Sequence, residues 1–282
     1  CGMASFKFKT IPLVIITVIV LLDAKDIAAE TTQAPLVPLP SVFDYTRGGG
    51  WGLALGLGVE YGNAYDGSDE YEFEVEPAGA VQYRIGNNLL FWEGIELGWR
   101  GRMADKWLFQ LNARYESGRE ADDSDDGRLD GLKDQSDHIV GVIEVRRSIG
   151  ENWRNWVGGR VMVGDNNFGV LGVLAAGHRF GAQSDGTGTE VFLFGTFGTS
   201  DFLNKDFGVT EGEAITSGLP ANDLSGGYRS AGLNIVDRRY LTEHIQIITK
   251  GGVELYSSNI QDSPIAREDY EIEVGISAVY HF

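Results

Sequence analysis

The densest set of groups able to do chemistry lies in residues 118–137, GREADDSDDGRLDGLKDQSD, which hold eight acids and three bases. Asp122, Ser124, Asp126 and Gly127 follow the spacing that opens a calcium-binding loop. At the twelfth position, where such a loop needs a bidentate glutamate, stands Lys133. The expectation is therefore a solvated acidic loop with at most loose divalent binding. A second acidic set, Glu72, Glu74 and Glu76, recurs at every other residue and falls on one face of a strand. No His or Cys is spaced to join it as a metal ligand, so a wetted lining accounts for it better than acid–base chemistry. His138, His178, His244 and His281 form no metal-ligand pair, and no Gly-x-Ser-x-Gly elbow occurs. A Ser/His arrangement needs no proximity in sequence and stays open as a rival centred on His138 and His178.

The elements that would carry these groups are strands. In WGLALGLGVEY, 51–61, Trp51, Leu53, Leu55, Leu57, Val59 and Tyr61 point one way, and Gly52, Ala54, Gly56, Gly58 and Glu60 the other. The inner face of a soluble sandwich needs bulk, whereas the apolar row of a barrel faces lipid and its small residues face a crowded lumen. Residues 71–85 repeat the design with more charge. In DYEIEVGISAVYHF, 269–282, Tyr270, Ile272, Val274, Ile276, Ala278, Tyr280 and Phe282 make an apolar ribbon that ends in two aromatics. With 88–100, 107–117, 138–149, 153–163, 168–180, 189–200, 227–239 and 244–256, eleven segments result. A bacterial barrel has an even number, so the expectation is ten to twelve strands, and twelve if Gly94 divides 88–100. By the same parity Arg84, Arg114, Arg160 and Lys250, with Glu72, Glu116, Glu144 and Glu254, project into the lumen as cross-links or as a pore lining. Short links at 86–87, 150–152 and 241–243 fit periplasmic turns, and longer polar ones at 118–137, 201–226 and 257–268 fit external loops.

Composition agrees. The formal charge is −18, and no basic cluster offers a footprint for nucleic acid. Lys7 and Lys9 before the apolar run Ile11 to Leu22, with small residues Ala24, Ala28 and Ala29 after it, predict a signal peptide over 1–29. Its loss removes Cys1, the one cysteine, so disulfides play no part. Residues 30–50, with three of the seven prolines and a glycine triplet, read as an extended leader before a barrel over 51–282.

Two stretches resemble the MipA/OmpV family of outer-membrane proteins: DFGVTEGEAITSGLPANDLSGGYRSAGL, 206–233, and SPIAREDYEIEVGISAVYHF, 263–282. The strand at 51–61 and LLFWEGIELGW are similar as well. The resemblance implies an all-β, antiparallel up-and-down transmembrane barrel in the outer membrane, among lipid and lipopolysaccharide. It implies a scaffold without catalytic residues, cofactor or metal, with a murein transglycosylase and other cell-wall enzymes as partners. Tyr280 and Phe282 would then be the signal read by the barrel-assembly machinery. Phe207, Gly208, Val209, Ser217, Gly218 and Leu219 would form a partner-contact or lumen loop. A small-solute channel and a lipid-modifying barrel enzyme are the alternatives.

Overall fold

The computed structural model describes residue 46 and residues 49–282, apart from 105, 151–152, 166–167 and 181–186. The signal peptide expected over 1–29 lies outside the described residues, as does the leader expected over 30–50 except Thr46, Gly49 and Gly50. Among the described residues twelve strands form: β1 Gly50–Asn63, β2 Tyr71–Ile85, β3 Asn88–Glu93, β4 Glu96–Ala104, β5 Trp107–Glu116 and β6 His138–Ile149, then β7 Asn155–Val163, β8 Val170–Phe180, β9 Gly188–Gly198, β10 Gly227–Tyr240, β11 Ile245–Tyr256 and β12 Tyr270–His281. Each pairs antiparallel with its neighbour in sequence, and β1 closes on β12, from Ala54↔His281 to Tyr61↔Val274. The fold is the expected up-and-down transmembrane barrel.

Stretch 88–100 divides at Gly94, as the even count requires. Gly94 sits at φ +54, a left-handed turn that a side chain would strain, and this lets β3 reverse into β4 after only six residues. Closure at β1–β12 depends on another glycine, Gly56. A Cβ there would run into the carbonyl oxygen of Ala278 and the backbone of Val279.

The distribution of polarity is inside out. Trp51, Leu55, Leu57, Ile139, Leu174 and Leu193 are each more than half exposed, while Arg100, Gln82, Gln110, Glu144 and Gln246 are buried in the lumen. In water that outer surface would be a large unfavourable patch; facing hydrocarbon it is stabilising. Aromatics gather at both ends of the β1–β2 row. Trp51 lies 4.7 Å from Tyr83 at one end, and Tyr61 lies 4.7 Å from Phe73 and 5.5 Å from Tyr71 at the other. Such belts sit where hydrocarbon gives way to headgroups.

The alternation of strand direction puts 86–87, 150–152 and 241–243 at one end of the barrel. The long links 118–137, 201–226 and 257–268 all fall at the other. Among the described residues three short α-helices sit in these long links, α1 Ser200–Phe207, α2 Glu211–Ser217 and α3 Ser258–Gln261, with a 3-10 turn at Ala121–Asp123.

Candidate functional site: a cross-linked lumen beneath a loop-end cap

The lumen is lined by paired charges. Arg100 on β4 holds Glu93 on β3 at 3.0 Å and donates from Nε to Gln110 on β5 at 2.7 Å. Gln82 on β2 donates to the same Glu93 at 2.5 Å. Glu96 on β4 takes Arg114 of β5 at 3.0 Å and reaches Arg160 of β7 at 3.5 Å. Glu144 on β6 accepts from Arg146 at 2.5 Å and from Arg160 at 2.9 Å. Glu190 on β9 accepts from the Trp156 indole at 2.7 Å and from Arg179 at 3.1 Å. A charge kept from water is costly alone and tolerable only when paired and hydrogen-bonded, so these contacts act as struts that brace neighbouring strands from inside, while Arg160–Glu96 reaches from β7 to β4 and Trp156–Glu190 from β7 to β9. Towards the short-turn end Leu89, Leu108, Trp153, Trp156, Phe192 and Val236 form a buried apolar layer inside the barrel.

The opposite end is capped. Thr199 and Thr210 each accept an N–H of the helix they precede, fixing the starts of α1 and α2. Helix α1 buries Phe202, Leu203 and Phe207 against Val140, Val142, Met162, Phe168, Leu224, Tyr256 and Ile260. Above it Tyr65, Leu129, Leu132, Val209 and Ile265 make a second small core. Polar ties join the loops: the Arg119 guanidinium donates to the Asp206 carbonyl, and that of Arg128 to the Pro264 carbonyl. Burial lowers the Arg119 pKa, against the pull of Asp206 and Glu213, and burial raises that of the Asp206 carboxyl, against Lys205 at 2.5 Å. Arg229 lies beneath the cap, over the rings of Tyr256 at 5.2 Å and Phe207 at 5.7 Å, and pairs with Asp66 at 2.6 Å and with Glu254.

The residues singled out from sequence are placed as follows. Arg84, Arg114, Arg160, Lys250, Glu144 and Glu254 face inward, and all have polar partners there. Phe207 and Val209 are cores of the cap, 0% and 2% exposed. Gly208 ends α1, and Val209 bridges to Asn222. Ser217 donates back to the Glu213 carbonyl at 2.7 Å, Gly218 ends α2 at φ +75, and Leu219 packs on the second small core. Tyr280 and Phe282 point outward at the short-turn end with ring centroids 4.9 Å apart.

His138 and His178 stay apart, at opposite ends of the barrel, while His244 and His281 are neighbours. His138 lies 3.0 Å from Asp165 at the loop end, and His178 stands on the outside near Asn155 at 2.7 Å. His244 meets the His281 carbonyl at 2.8 Å. In the acidic loop Asp126 is bound by Ser124 at 2.7 Å and by the Arg128 N–H at 2.8 Å. Among the described residues no group of His, Cys, Asp and Glu is arranged to hold a metal ion.

Sequence reading missed the Glu93–Arg100 pair and Glu96, which takes Arg114 and Arg160. On one unbroken strand Glu93 and Glu96 would face opposite ways. The turn at Gly94 resets the parity and sends both inward. Arg146 shares the inward parity of Glu144, the signal that could have found it, and Glu190 was not singled out either.

No curated protein matches the chain. Among solved structures it is similar to the NanC porin, at TM-score 0.41 and 10% identity, covering 79% of this chain and 98% of that one. It is similar also to a bacterial polysaccharide outer membrane secretin, at 0.40 and 10%, covering 83% and 99%. To OprD from Pseudomonas aeruginosa the values are 0.33 and 8%, covering 86% and 98%. The family model for MltA-interacting protein MipA matches residues 55–282, which takes in all but the first five residues of β1, every other strand, the lumen struts and the whole cap. The chain is a member of the MltA-interacting protein MipA family.

Proposed function

We propose that this protein is a non-enzymatic scaffold in the outer membrane that holds a murein transglycosylase, and through it other cell-wall enzymes, at the inner surface of that membrane. The single observation that carries this reading is the closed lumen. Glu93–Arg100 and Glu144–Arg160 are buried pairs between neighbouring strands, Arg160 also reaches from β7 to Glu96 on β4, and folded loops cover one end. Such an interior is rigid and gives a solute little room, so the surfaces at the two ends are what the barrel offers. The family's description names interaction with MltA, which supports the same partner class. The short-turn end, with Leu241 67% exposed, is the periplasmic face in this reading, and Tyr280 and Phe282 beside it are the signal for the assembly machinery. Loosely held divalent cations would bridge the acidic loop to lipopolysaccharide at the other end.

The test is a photo-activated cross-linker at Leu241 in living cells, with Leu193 on the outward face of β9 as control. Capture of a murein transglycosylase at Leu241 and not at Leu193 is the expected result. Capture at neither position, in cells where the barrel is inserted and the enzyme abundant, would overturn the scaffold reading.

A further inference from the structure

Among the described residues the closed wall of this barrel is shorter on one side. β2 runs for fifteen residues, yet β3 pairs only with its last six, Ala80↔Glu93 to Ile85↔Asn88. The β3–β4 hairpin turns at Gly94, level with Gly79, to which it makes its last backbone bond at 3.0 Å. Above that point, among the described residues, no strand pairs with Phe73–Ala78 on the side away from β1. Phe73 is 74% and Val75 63% exposed on the outward face. Because Phe73 packs on Tyr61 in the aromatic cluster at the loop end, the open edge runs from that belt down along the apolar band. Backbone donors and acceptors facing hydrocarbon need a partner, and acyl chains supply none.

On its lumen side the edge looks onto an acidic basin. Glu60 and Glu74 stand directly across the β1–β2 ladder from each other. Lys250 Nζ lies 2.5 Å from Glu60, 2.9 Å from Glu273 and 3.6 Å from Glu76, and about half of the Glu76 and Glu273 side chains remains exposed. Ala54, Ala78, Ala80, Val279 and Ile248 close the basin below. Three carboxylates around one ammonium, with Glu74 across the ladder from Glu60, leave an excess of negative charge next to the open backbone.

We propose that the β2 edge at Phe73–Ala78 is a docking site for an extended segment of another polypeptide, added as a strand, with basic and apolar side chains in alternation. Its basic side chains enter the basin of Glu60, Glu74, Glu76 and Glu273, and its apolar ones continue the outer row of Phe73 and Val75. The open edge is about 20 Å long, which suits a strand of about six residues. A second copy pairing through the same edge would set Glu74 and Glu76 against their own like, which is repulsive. This surface lies at the loop end, apart from the turn-end contact proposed above, and does not depend on it.

The test uses the whole protein in lipid nanodiscs and two seven-residue peptides, one alternating Lys and Val and one alternating Glu and Val. The Lys–Val peptide should bind about tenfold more tightly, the sum of a few cross-strand charge pairs, and slow amide exchange within 73–78. Glu74→Lys with Glu76→Lys should reverse the preference. Equal binding of both peptides, or binding that leaves exchange at 73–78 unchanged, would overturn the proposal. So would self-cross-linking of Val75→Cys in a Cys1→Ser background, which would place a second copy at the edge.

Discussion

The Arg100 guanidinium holds Glu93 at 3.0 Å across the β3–β4 hairpin, with Arg100 wholly buried and Glu93 almost so. It also lies 4.3 Å over the ring of Phe91, so the cation is enclosed on its face as well as at its edge. Each partner makes the other tolerable in the lumen. Arg100→Met should therefore cost about 3–5 kcal/mol, since it leaves a buried carboxylate without its cation. Arg100→Met with Glu93→Gln should recover most of that loss. Thermal unfolding in detergent, followed by gel mobility of folded and unfolded forms, measures both. A double variant no more stable than Arg100→Met alone would show that the pair is not the strut described.

Glu213 makes the cap sensitive to acid. Burial alone would push its pKa up, but hydrogen bonds from the Thr210 side chain, the Thr210 N–H and the Lys133 N–H outweigh it and hold it below the usual glutamate value. A depressed folded pKa contributes stability above the unfolded pKa and loses it as pH falls through the folded one. Amide exchange in α2 should accelerate as pH drops below the usual glutamate range, once the intrinsic pH dependence of exchange is removed. Glu213→Gln should be less protected at neutral pH and lack that acid step.

A planar bilayer containing the purified protein should stay quiet. Deleting residues 200–225 should not change this, because the layer of Leu89, Leu108, Trp156, Phe192 and Val236 and the ion pairs above it remain in place. Steady porin-like steps from the intact protein would favour the channel alternative.

Phe282 is 65% exposed on the outer face, edge-on to Tyr280, and its N–H bonds to the Leu53 carbonyl at 3.1 Å beside the β1–β12 closure. Phe282→Asp should lower the amount of inserted barrel several-fold, measured by heat-modifiable protein in membranes, while Phe282→Tyr should leave it near normal. Equal insertion of all three would remove the role assigned to Tyr280 and Phe282.

The barrel was legible because period-two patterning survives in the first and last strands and, apart from breaks such as the shift at Tyr228/Ser230 in β10, in much of the wall between them. Trp51 to Tyr61 and Tyr270 to Phe282 each keep one apolar face without interruption. Gly94 marked the one place where a segment had to be two strands. The struts were half legible: parity sent Arg114, Arg160, Lys250 and Glu144 inward, but pairing depends on register, and the turn at Gly94 hid Glu93 and Glu96. The cap was not legible. Phe207, Leu129, Leu132 and Ile265 come from three links far apart in sequence, and no local period says that they meet. The open β2 edge escaped for a related reason, since it follows from the length of β3 relative to β2.

The central claim is that the outward apolar rows face hydrocarbon while the charges face an enclosed lumen. The most direct measurement is collision accessibility of spin labels at Leu57 and Leu193, both on outward rows, and at Ile215 on α2, 85% exposed in the cap. In liposomes the labels at Leu57 and Leu193 should meet oxygen readily and a water-soluble nickel complex hardly at all, and Ile215 should show the reverse. Nickel accessibility at Leu57 and Leu193 equal to that at Ile215 would contradict the account.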